Sequence, residues 1–203
     1  MNDDNNKFFL IGLLIVVLLQ IFPYIFWPKT ARADNLIAID QIGSYNTVVV
    51  TQDGTTQSAT VNLGKTSAVD NTYVAITQQG VGNKTATVDM PSGYNSSVVM
   101  FQDGAGNHTV AIQNLNGAAN NINFSQTGAG NHAMTVTGAP GSTNSGDTIT
   151  ATQSGSGDKS FQLNLNGTNG ATVNVQQTNP TQSNTGSMSI QCVTCGTYNY
   201  TRQ

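Results

Sequence analysis

Apolar and polar residues alternate in short stretches throughout residues 35–191, and each stretch ends at a glutamine. Apolar side chains stand four and two positions before these glutamines. The apolar residues at the fourth position before a glutamine are Ile37, Val48, Val74, Val98, Ile122, Ile149 and Val173. Those at the second position before it are Ile39, Val50, Ile76, Met100, Phe124, Ala151 and Val175. A period of two over five or six residues, bounded by Gly and Asn, predicts a β-strand at each of these places.

The glutamines open a repeated block with the pattern Gln-x-Gly-x-Gly-Asn. They are Gln41, Gln52, Gln78, Gln102, Gln126, Gln153 and Gln177. Four close copies of the block place Gly, and Asn or Asp, at Gly80, Asn83, Gly104, Asn107, Gly128, Asn131, Gly155 and Asp158. After a short first step, from Gln41 to Gln52, the glutamines recur with a period of about 24 residues, interrupted by insertions near 65–70 and 138–147. Copies at near-constant spacing predict a repeat architecture.

Each repeat contains a second strand after the Gly-x-Gly-Asn turn, and then a second turn rich in Asn and Gly, as in residues 114–120 and 166–170. A unit of two strands and two turns cannot bury its apolar columns alone, but stacked units can. We therefore expect an all-β fold, a β-solenoid of about six to seven strand-turn-strand rungs stacked as in cross-β, amyloid-forming chains. In such a stack each glutamine stands above an identical amide and hydrogen-bonds to it along the axis.

The inward face of the second strand is left open by the pattern. Small residues stand seven positions after the glutamines, at Ala59, Thr85, Thr109, Ala133 and Ser160. Larger apolar residues stand eight and ten positions after them in the central repeats, at Val110, Ile112, Met134, Val136, Phe161 and Leu163. If the small set faced inward, the large set would form an exposed apolar strip along which filaments could associate.

Charged residues make up only 8% of the 203 residues, none of them is Glu, and the pI is about 4.9. The lack of a Lys/Arg cluster argues against nucleic-acid binding. Two histidines, and aspartates scattered over turns, offer no general acid–base pair or catalytic triad. We expect a protein that is not an enzyme and that takes no cofactor, metal or small-molecule substrate.

Residues 1–33 fit a secretory signal peptide. A 20-residue apolar run from Phe8 to Trp27 follows Lys7, and a small-x-small triplet ends at Ala33, before Asp34. This pattern predicts cleavage between Ala33 and Asp34 and secretion of the remaining chain. A retained membrane anchor is the alternative, because the run is long enough to span a bilayer. The remaining chain divides into repeats over 34–191 and a tail over 192–203.

Four ionisable side chains follow the Asn or Asp of the blocks: Lys84, His108, His132 and Lys159. Stacking would align them in one column beside the turn, and the favoured interpretation is a solvated turn edge. The alternative is a pH-sensitive ladder. Protonation of both histidines near a pKa of about 6.5 would then place like charges about 5 Å apart.

Cys192 and Cys195 are the only cysteines and form a CxxC motif in the tail. One such pair provides too few ligands for a zinc site. A thioredoxin-like motif would need a βαβ context, which these repeats do not provide. A disulfide formed in the periplasm is the favoured interpretation, and two free thiols are the alternative.

Together these motifs resemble the curlin repeat. The shared features are the Gln-x-Gly-x-Gly-Asn block, a small residue at plus seven, Gln at plus eleven (Gln52, Gln113), and the pairs Asn71-Thr72 and Asn95-Ser96 before the next strand. Curlins are the secreted subunits of curli, the functional amyloid fibres of bacterial biofilm matrix. The resemblance covers residues 35–191. It implies export through a dedicated outer-membrane channel, nucleation at the cell surface by a curli nucleator, and end-to-end addition into a homopolymer fibre.

Other functions stay open from the sequence. Within the curlin family, the chain could be the major subunit or the minor, nucleating one. A retained N-terminal anchor would make it a membrane-anchored solenoid adhesin. An ice-binding module would need regular Thr-x-Thr on one face, and the candidate threonines, Thr85, Thr87, Thr148, Thr150 and Thr152, fall in different columns.

Overall fold

The computed structural model describes residues 35–90, 92–113, 120–138, 144–192 and 194–203. All of them belong to one compact unit, Ala33–Gln203. The predicted signal peptide over 1–33, its cleavage site, most of the predicted turn over 114–120 and part of the predicted insertion over 138–147 lie outside the described residues. The described residues include no helix long and apolar enough to cross a membrane.

Strands form where the sequence alternates, and inward and outward side chains alternate along most of them, as in β3 and β11. In the described ranges the strands are β1 (Leu36–Gln41), β2 (Thr47–Gly54), β3 (Gln57–Leu63), β4 (Val69–Asp70), β5 (Tyr73–Gly80), β6 (Lys84–Met90), β7 (Gly93–Tyr94), β8 (Ser97–Asp103), β9 (His108–Gln113), β10 (Asn121–Thr127), β11 (His132–Gly138), β12 (Thr148–Ser154), β13 (Lys159–Leu165), β14 (Thr172–Gln177), β15 (Asn184–Ile190) and β16 (Thr197–Arg202).

Two parallel sheets of seven strands each face one another across the core. The first, sheet A, has the order β1-β3-β6-β9-β11-β13-β15, and the second, sheet B, has the order β16-β14-β12-β10-β8-β5-β2. The short pair β4–β7 and an isolated bridge between Ser145 and Asn169 connect successive turns where the chain returns from sheet A to sheet B. The chain thus crosses between the sheets at every turn.

Six complete rungs result, each with one strand in either sheet: β2–β3, β5–β6, β8–β9, β10–β11, β12–β13 and β14–β15. Equivalent residues of neighbouring rungs are 24 residues apart between Gln78 and Gln102, and 27 apart between Gln126 and Gln153. The predicted all-β solenoid is therefore confirmed. Two strands remain outside the rungs, β1 before the first in sheet A and β16 after the last in sheet B; we call them the terminal half-rungs.

The core settles which face of the second strand points inward. The larger apolar side chains of sheet A are at most 1% exposed: Val110, Ile112, Met134, Val136, Phe161 and Leu163. Burial of the large set removes more apolar surface from water than burial of the small set would. Each Å² of buried apolar surface stabilises the fold by about 25 cal/mol, so the large set is favoured inside. Apart from Ala59, the small set faces outward, so these large residues form no exposed strip.

Ala59 does not share the position of the other small residues that stand seven after a glutamine. The turn that precedes β3 is one residue shorter than the equivalent turns of the next four rungs, so Gln57 pairs with Lys84. Ala59 consequently pairs with Ala86 and is fully buried. Its true place is in the inward apolar column of sheet A.

The prediction for Gln41 as a member of the glutamine column is also wrong. The step from Gln41 to Gln52 is close to half a period, so β1 and β2 lie in opposite sheets. Ile39 pairs with Val61, and Gln41 pairs with Leu63. Gln41 is exposed at the end of sheet A.

Candidate functional site

Six of the predicted glutamines stand in register in sheet B and form what we call the glutamine ladder. Each Nε2 donates to the Oε1 of the next glutamine over most of the column. The distances are 2.8 Å from Gln52 to Gln78, 2.9 Å from Gln78 to Gln102, 3.0 Å from Gln102 to Gln126 and 2.8 Å from Gln126 to Gln153. All four bonds point toward the C-terminal end, so the ladder has a direction.

Each ladder amide also donates across the core to a main-chain carbonyl of sheet A. The acceptors are Leu36 for Gln52 (3.3 Å), Ser58 for Gln78 (2.9 Å), Thr85 for Gln102 (3.1 Å), Thr109 for Gln126 (3.1 Å), Ala133 for Gln153 (3.1 Å) and Ser160 for Gln177 (3.2 Å). A buried amide is costly unless its donors and acceptors are paired. These cross-core bonds satisfy the second hydrogen of Nε2 and hold the two sheets together, a role that the spacing alone did not show.

The ladder has unpaired acceptors at its two ends. The Oε1 atoms of Gln52 and Gln177 are buried and have no hydrogen-bond partner. Gln177 is in register with Gln153 and fully buried, yet the last ladder bond is not made. Because every ladder bond runs toward the C-terminal end, the expected donor for Gln177 is Gln153 of the same chain, and only the Oε1 of Gln52 lacks a donor that could come from outside the chain.

The Gly-x-Gly-Asn turns stack into a second ladder outside the strands. The Oδ1 of Asn107 accepts the main-chain N–H of Asn83 at 3.0 Å, that of Asn131 accepts from Asn107 at 3.0 Å, and that of Asp158 accepts from Asn131 at 2.8 Å. The first glycine of each block has a positive φ: 84° at Gly80, 115° at Gly104, 112° at Gly128 and 110° at Gly155. Only glycine adopts this conformation without steric cost, which explains its recurrence.

The ionisable side chains that follow these turns are buried, so the predicted solvated turn edge is wrong. They belong to what we call the turn column, which consists of Gln57, Lys84, His108, His132, Lys159 and Asn184. Lys84, His108, His132 and Lys159 are at most 1% exposed. The side chains point into the space enclosed by the glycine-rich turns.

Backbone carbonyl groups make this space suitable for cations. The ammonium of Lys84 donates to the carbonyl oxygens of Val81 (3.1 Å), Gly82 (3.3 Å), Gly104 (2.8 Å) and Gly106 (2.9 Å). The ammonium of Lys159 donates to those of Gly157 (2.9 Å) and Gln182 (3.3 Å). Burial lowers the pKa of both lysines, and Asp103 and Asp158 respectively oppose this.

His108 and His132 stack in the turn column between the two lysines. Their ring centroids are 4.9 Å apart and the rings are 5° from parallel. None of their ring nitrogens has a hydrogen-bond partner. Burial, then the charges of Lys84 and His132, lower the pKa of His108 to about 4, and the carbonyls of Gly128 and Gly130 oppose part of this effect.

His132 experiences the same environment. Burial and then the charge of Lys159 lower its pKa, and the carbonyl of Gly157 and the carboxylate of Asp158 oppose this. The folded chain therefore keeps both imidazoles neutral at pH values where free histidine is half protonated. The expectation that the column titrates near pH 6.5 is wrong for the folded state.

Asp147 is a buried ionisable group outside the turn column, and the repeat pattern did not reveal it. It is fully buried and accepts from the Thr168 hydroxyl at 3.1 Å and from the Asn120 amide at 3.1 Å. Burial raises its pKa to about 6, although these hydrogen bonds and that of Ala171 oppose the shift. A signal was present in the sequence, because polar residues precede most first strands, as Asn120 precedes β10.

We expect acid to destabilise the chain through the histidines. The unfolded chain binds a proton at each imidazole near pH 6.5, whereas the folded chain binds them only at lower pH. This contribution to stability is complete above about pH 6.5 and is lost as the pH falls toward 4. The urea midpoint of the monomer should fall between about pH 7.5 and pH 4.5, and should fall less for His108→Gln/His132→Gln.

Two features make this comparison specific. Gln57 occupies the same turn column, so Gln fits there. Asp147 has the opposite effect on the pH dependence of stability. Because its pKa is raised in the folded chain, it stabilises the fold fully below about pH 4, and this stabilisation is lost as the pH rises through 6. Asp147 is present in both the unmodified chain and the double variant, so the difference between their urea midpoints reports the histidines alone. Equal pH dependence of the two midpoints would contradict the assignment.

The predicted tail contains a strand and a disulfide. Cys192 and Cys195 are disulfide-bonded, with their Cα atoms 5.7 Å apart. The strand β16 follows and pairs with β14. The ring of Tyr200 lies 4.8 Å from that of Phe161. It fills the space above Gly186, where an added Cβ would stand 2.6 Å from the tyrosine ring.

In the part of the chain that the structure describes, no further strand covers either end of the solenoid. At the N-terminal end, β1 is the edge strand of sheet A and β2 that of sheet B. At the C-terminal end, β15 is the edge strand of sheet A and β16 that of sheet B. Ile37 is 46% and Ile39 49% exposed on β1, although both occupy inward columns. Edge strands present rows of main-chain N–H and C=O groups to a further strand.

Within the described ranges, no group of three or more His, Cys, Asp or Glu side chains is arranged to hold a metal ion. The candidate site is therefore the pair of open ends and the polar columns that lead to them. Comparison of the chain with protein-family models, with curated proteins and with solved structures gives no match in any of the three.

Proposed function

We propose that this chain is a secreted structural subunit of curli-like functional amyloid fibres, which serve surface adhesion and biofilm matrix and grow by end-to-end strand addition. The observation that carries the proposal is that both parallel sheets end in edge strands at both ends of the solenoid. Proteins that stay monomeric protect such edges with charged residues, proline or bulges. Here β1 carries one charged residue, β2 one, β15 none and β16 one.

The internal organisation supports the same function. Each rung pairs with the next in a parallel register that aligns like side chains, as in cross-β assemblies. Gln78 and Gln102, for instance, are directly paired in sheet B. An added copy that keeps this register extends every column, and the unpaired Oε1 of Gln52, at the N-terminal end of the ladder, gains a partner.

The resemblance to curlins supplies the cellular part of the proposal. The chain would leave the periplasm through the curli secretion channel, meet a nucleator at the cell surface and polymerise there into an extracellular fibre. It would act by assembly, without a catalytic role. The threonines considered for ice binding give no support to that alternative, because Thr85 and Thr87 lie in sheet A whereas Thr148, Thr150 and Thr152 lie in sheet B.

A fibre assay tests the proposal. The chain from Asp34 onward, incubated at high concentration, should form fibres that bind thioflavin and give a meridional reflection at about 4.7–4.8 Å. Freshly added monomer should extend sonicated fibres without a lag. A chain that stays monomeric over days, with or without such seeds, would exclude the proposed function.

A further inference from the structure

The two ends of the solenoid are stepped in a complementary way. Sheet A extends one strand beyond sheet B at the N-terminal end, where β1 has no partner strand in its own rung among the described residues. Sheet B extends one strand beyond sheet A at the C-terminal end, where β16 has none. We infer that in the fibre β16 of one copy and β1 of the next form one complete rung, which we call the composite rung. This inference rests on the proposed function and specifies its joint.

The register of the joint follows from the columns within one copy. In sheet A, β1 continues β15, so that Leu36 of the next copy stands against Thr185 and Asp40 against Ser189. In sheet B, β2 of the next copy continues β16, so that its Gln52 stands against Arg202. Both pairings continue the parallel register of the interior rungs without a gap.

Apolar side chains on both half-rungs complete a core of the usual composition. An interior rung contributes two large apolar residues from each sheet, as Val98 and Met100 do from β8. The composite rung would contain Tyr198 and Tyr200 from one copy and Ile37 and Ile39 from the next. All four lie in inward columns and are partly exposed in the isolated chain. Closing the joint buries them.

Arg202 provides an independent sign that the ladder continues into a second copy. It occupies the glutamine column of sheet B, directly after Gln177. Its Nη1 lies 3.5 Å from the carbonyl oxygen of Thr185. That contact repeats the cross-core bond of Gln177 to Ser160 one rung further on. Arginine has five N–H donors and no acceptor, so donors remain for the next position in the column.

The next position in the column is held by Gln52 of the following copy, whose Oε1 lacks a hydrogen-bond donor. Every ladder bond runs from an Nε2 to the Oε1 of the following rung, and Gln52 is the first glutamine of the copy. Its Oε1 is buried and unpaired in the isolated chain. Arg202 of the preceding copy would donate to it, in the same direction as the interior bonds. The joint therefore has one polarity, and a fibre repeats every seven rungs, or about 34 Å at the usual strand spacing.

Thiol cross-linking tests the register of the joint. Full-length chains with Leu36→Cys and full-length chains with Thr185→Cys are mixed in equal amounts, grown into fibres without reductant and treated with a short bifunctional thiol reagent. Both positions are exposed, so the substitutions leave the core intact. The composite rung predicts a cross-link between the two chains, because the Cα atoms lie about 4.8 Å apart.

The controls distinguish other joints. Fibres of either single variant should give no cross-link, since like positions are about 34 Å apart along the axis. Leu36→Cys mixed with Ser189→Cys should also give none, because those positions are four residues, about 13 Å, out of register. Cross-links between two Leu36→Cys chains or two Thr185→Cys chains would show head-to-head contacts and overturn the inference. Fibres without the expected cross-link overturn the composite rung alone, whereas absence of fibres overturns the proposed function as well.

A matched pair of variants tests the role of Arg202. Arg202→Gln and Arg202→Met both remove the charge, but only Gln keeps a donor for Gln52. We expect seeded elongation of Arg202→Gln to stay within about twofold of the unmodified chain and that of Arg202→Met to be about tenfold slower, because it leaves a buried acceptor unpaired. Equal rates for the two variants would contradict the bond between Arg202 and Gln52.

Discussion

Gly130→Ala is expected to destabilise the folded chain by about 3 kcal/mol or more, through a collision between successive turns. A Cβ at Gly130 would stand 2.3 Å from the carbonyl oxygen and 2.7 Å from the carbonyl carbon of Gly157. Both atoms belong to the backbone of the next turn and cannot rotate away, so the two turns must separate. That separation also weakens the bond between Asn131 and Asp158. Urea unfolding of the monomer, followed by circular dichroism at low concentration, measures the loss.

Gly196→Ala is the matched control. Gly196 is exposed and lies in a turn near β16, its φ is not positive, and no atom lies within 4 Å of an added Cβ. The same chemical change should therefore be neutral, or slightly stabilising because alanine restricts the unfolded chain. Similar losses for the two variants would mean that general backbone effects, and not the spacing of the turns, govern the first result.

Gln102→Leu is expected to destabilise the chain by about 2–4 kcal/mol, although leucine has nearly the volume of glutamine. The change leaves the buried Oε1 of Gln126 without a donor and removes the side-chain donor to the carbonyl oxygen of Thr85. The Nε2 of Gln78 keeps its bond to Ser58. The same change at the exposed Gln162 should cost less than about 0.5 kcal/mol in the same urea measurement.

A double-mutant cycle separates the ladder bond from simple burial. Gln126→Leu alone leaves the Oε1 of Gln153 without a donor and removes the side-chain donor to the carbonyl oxygen of Thr109. In the double variant Gln102→Leu/Gln126→Leu, the Oε1 of Gln126 is itself removed, so it is no longer a buried acceptor without a donor. The double variant therefore has fewer unpaired acceptors than the two single variants added together. We therefore expect the double loss to be smaller than the sum by about 1–3 kcal/mol. Additive losses would show that the ladder bond contributes little beyond the packing of each amide.

The repeat made the fold predictable, because its signals are local. A glutamine after each alternating stretch marks the end of a strand, and a glycine with positive φ, such as Gly104, marks a turn that only glycine forms easily. Equal spacing then fixes which residues stack. Where the spacing departs from a full period, the local signals mislead: the step from Gln41 to Gln52 is close to half a period, so Gln41 lies in sheet A and outside the glutamine column.

The polar interior was harder to predict, because its partners are backbone atoms. The sequence identifies Lys84 as polar, but not that four carbonyl oxygens surround its ammonium. The cross-core acceptors of the ladder, such as Thr85 for Gln102, depend on turn lengths in the same way. The strand β16 was missed for another reason: no Gln-x-Gly block precedes or ends it, although Tyr198 and Tyr200 alternate with polar residues.

The order of side chains in the turn column limits which repeats can be duplicated when the gene lengthens. Two neutral rings, His108 and His132, separate the buried ammonium groups of Lys84 and Lys159 by three rung spacings, or about 14 Å. Duplication of a histidine rung inserts another neutral ring and leaves the lysines apart. Duplication of a lysine rung places two ammonium groups about 5 Å apart in a space with little water, where their repulsion is strong. Descendants of this gene should therefore lengthen through the centre of the array, with the lysine rungs kept single at its flanks.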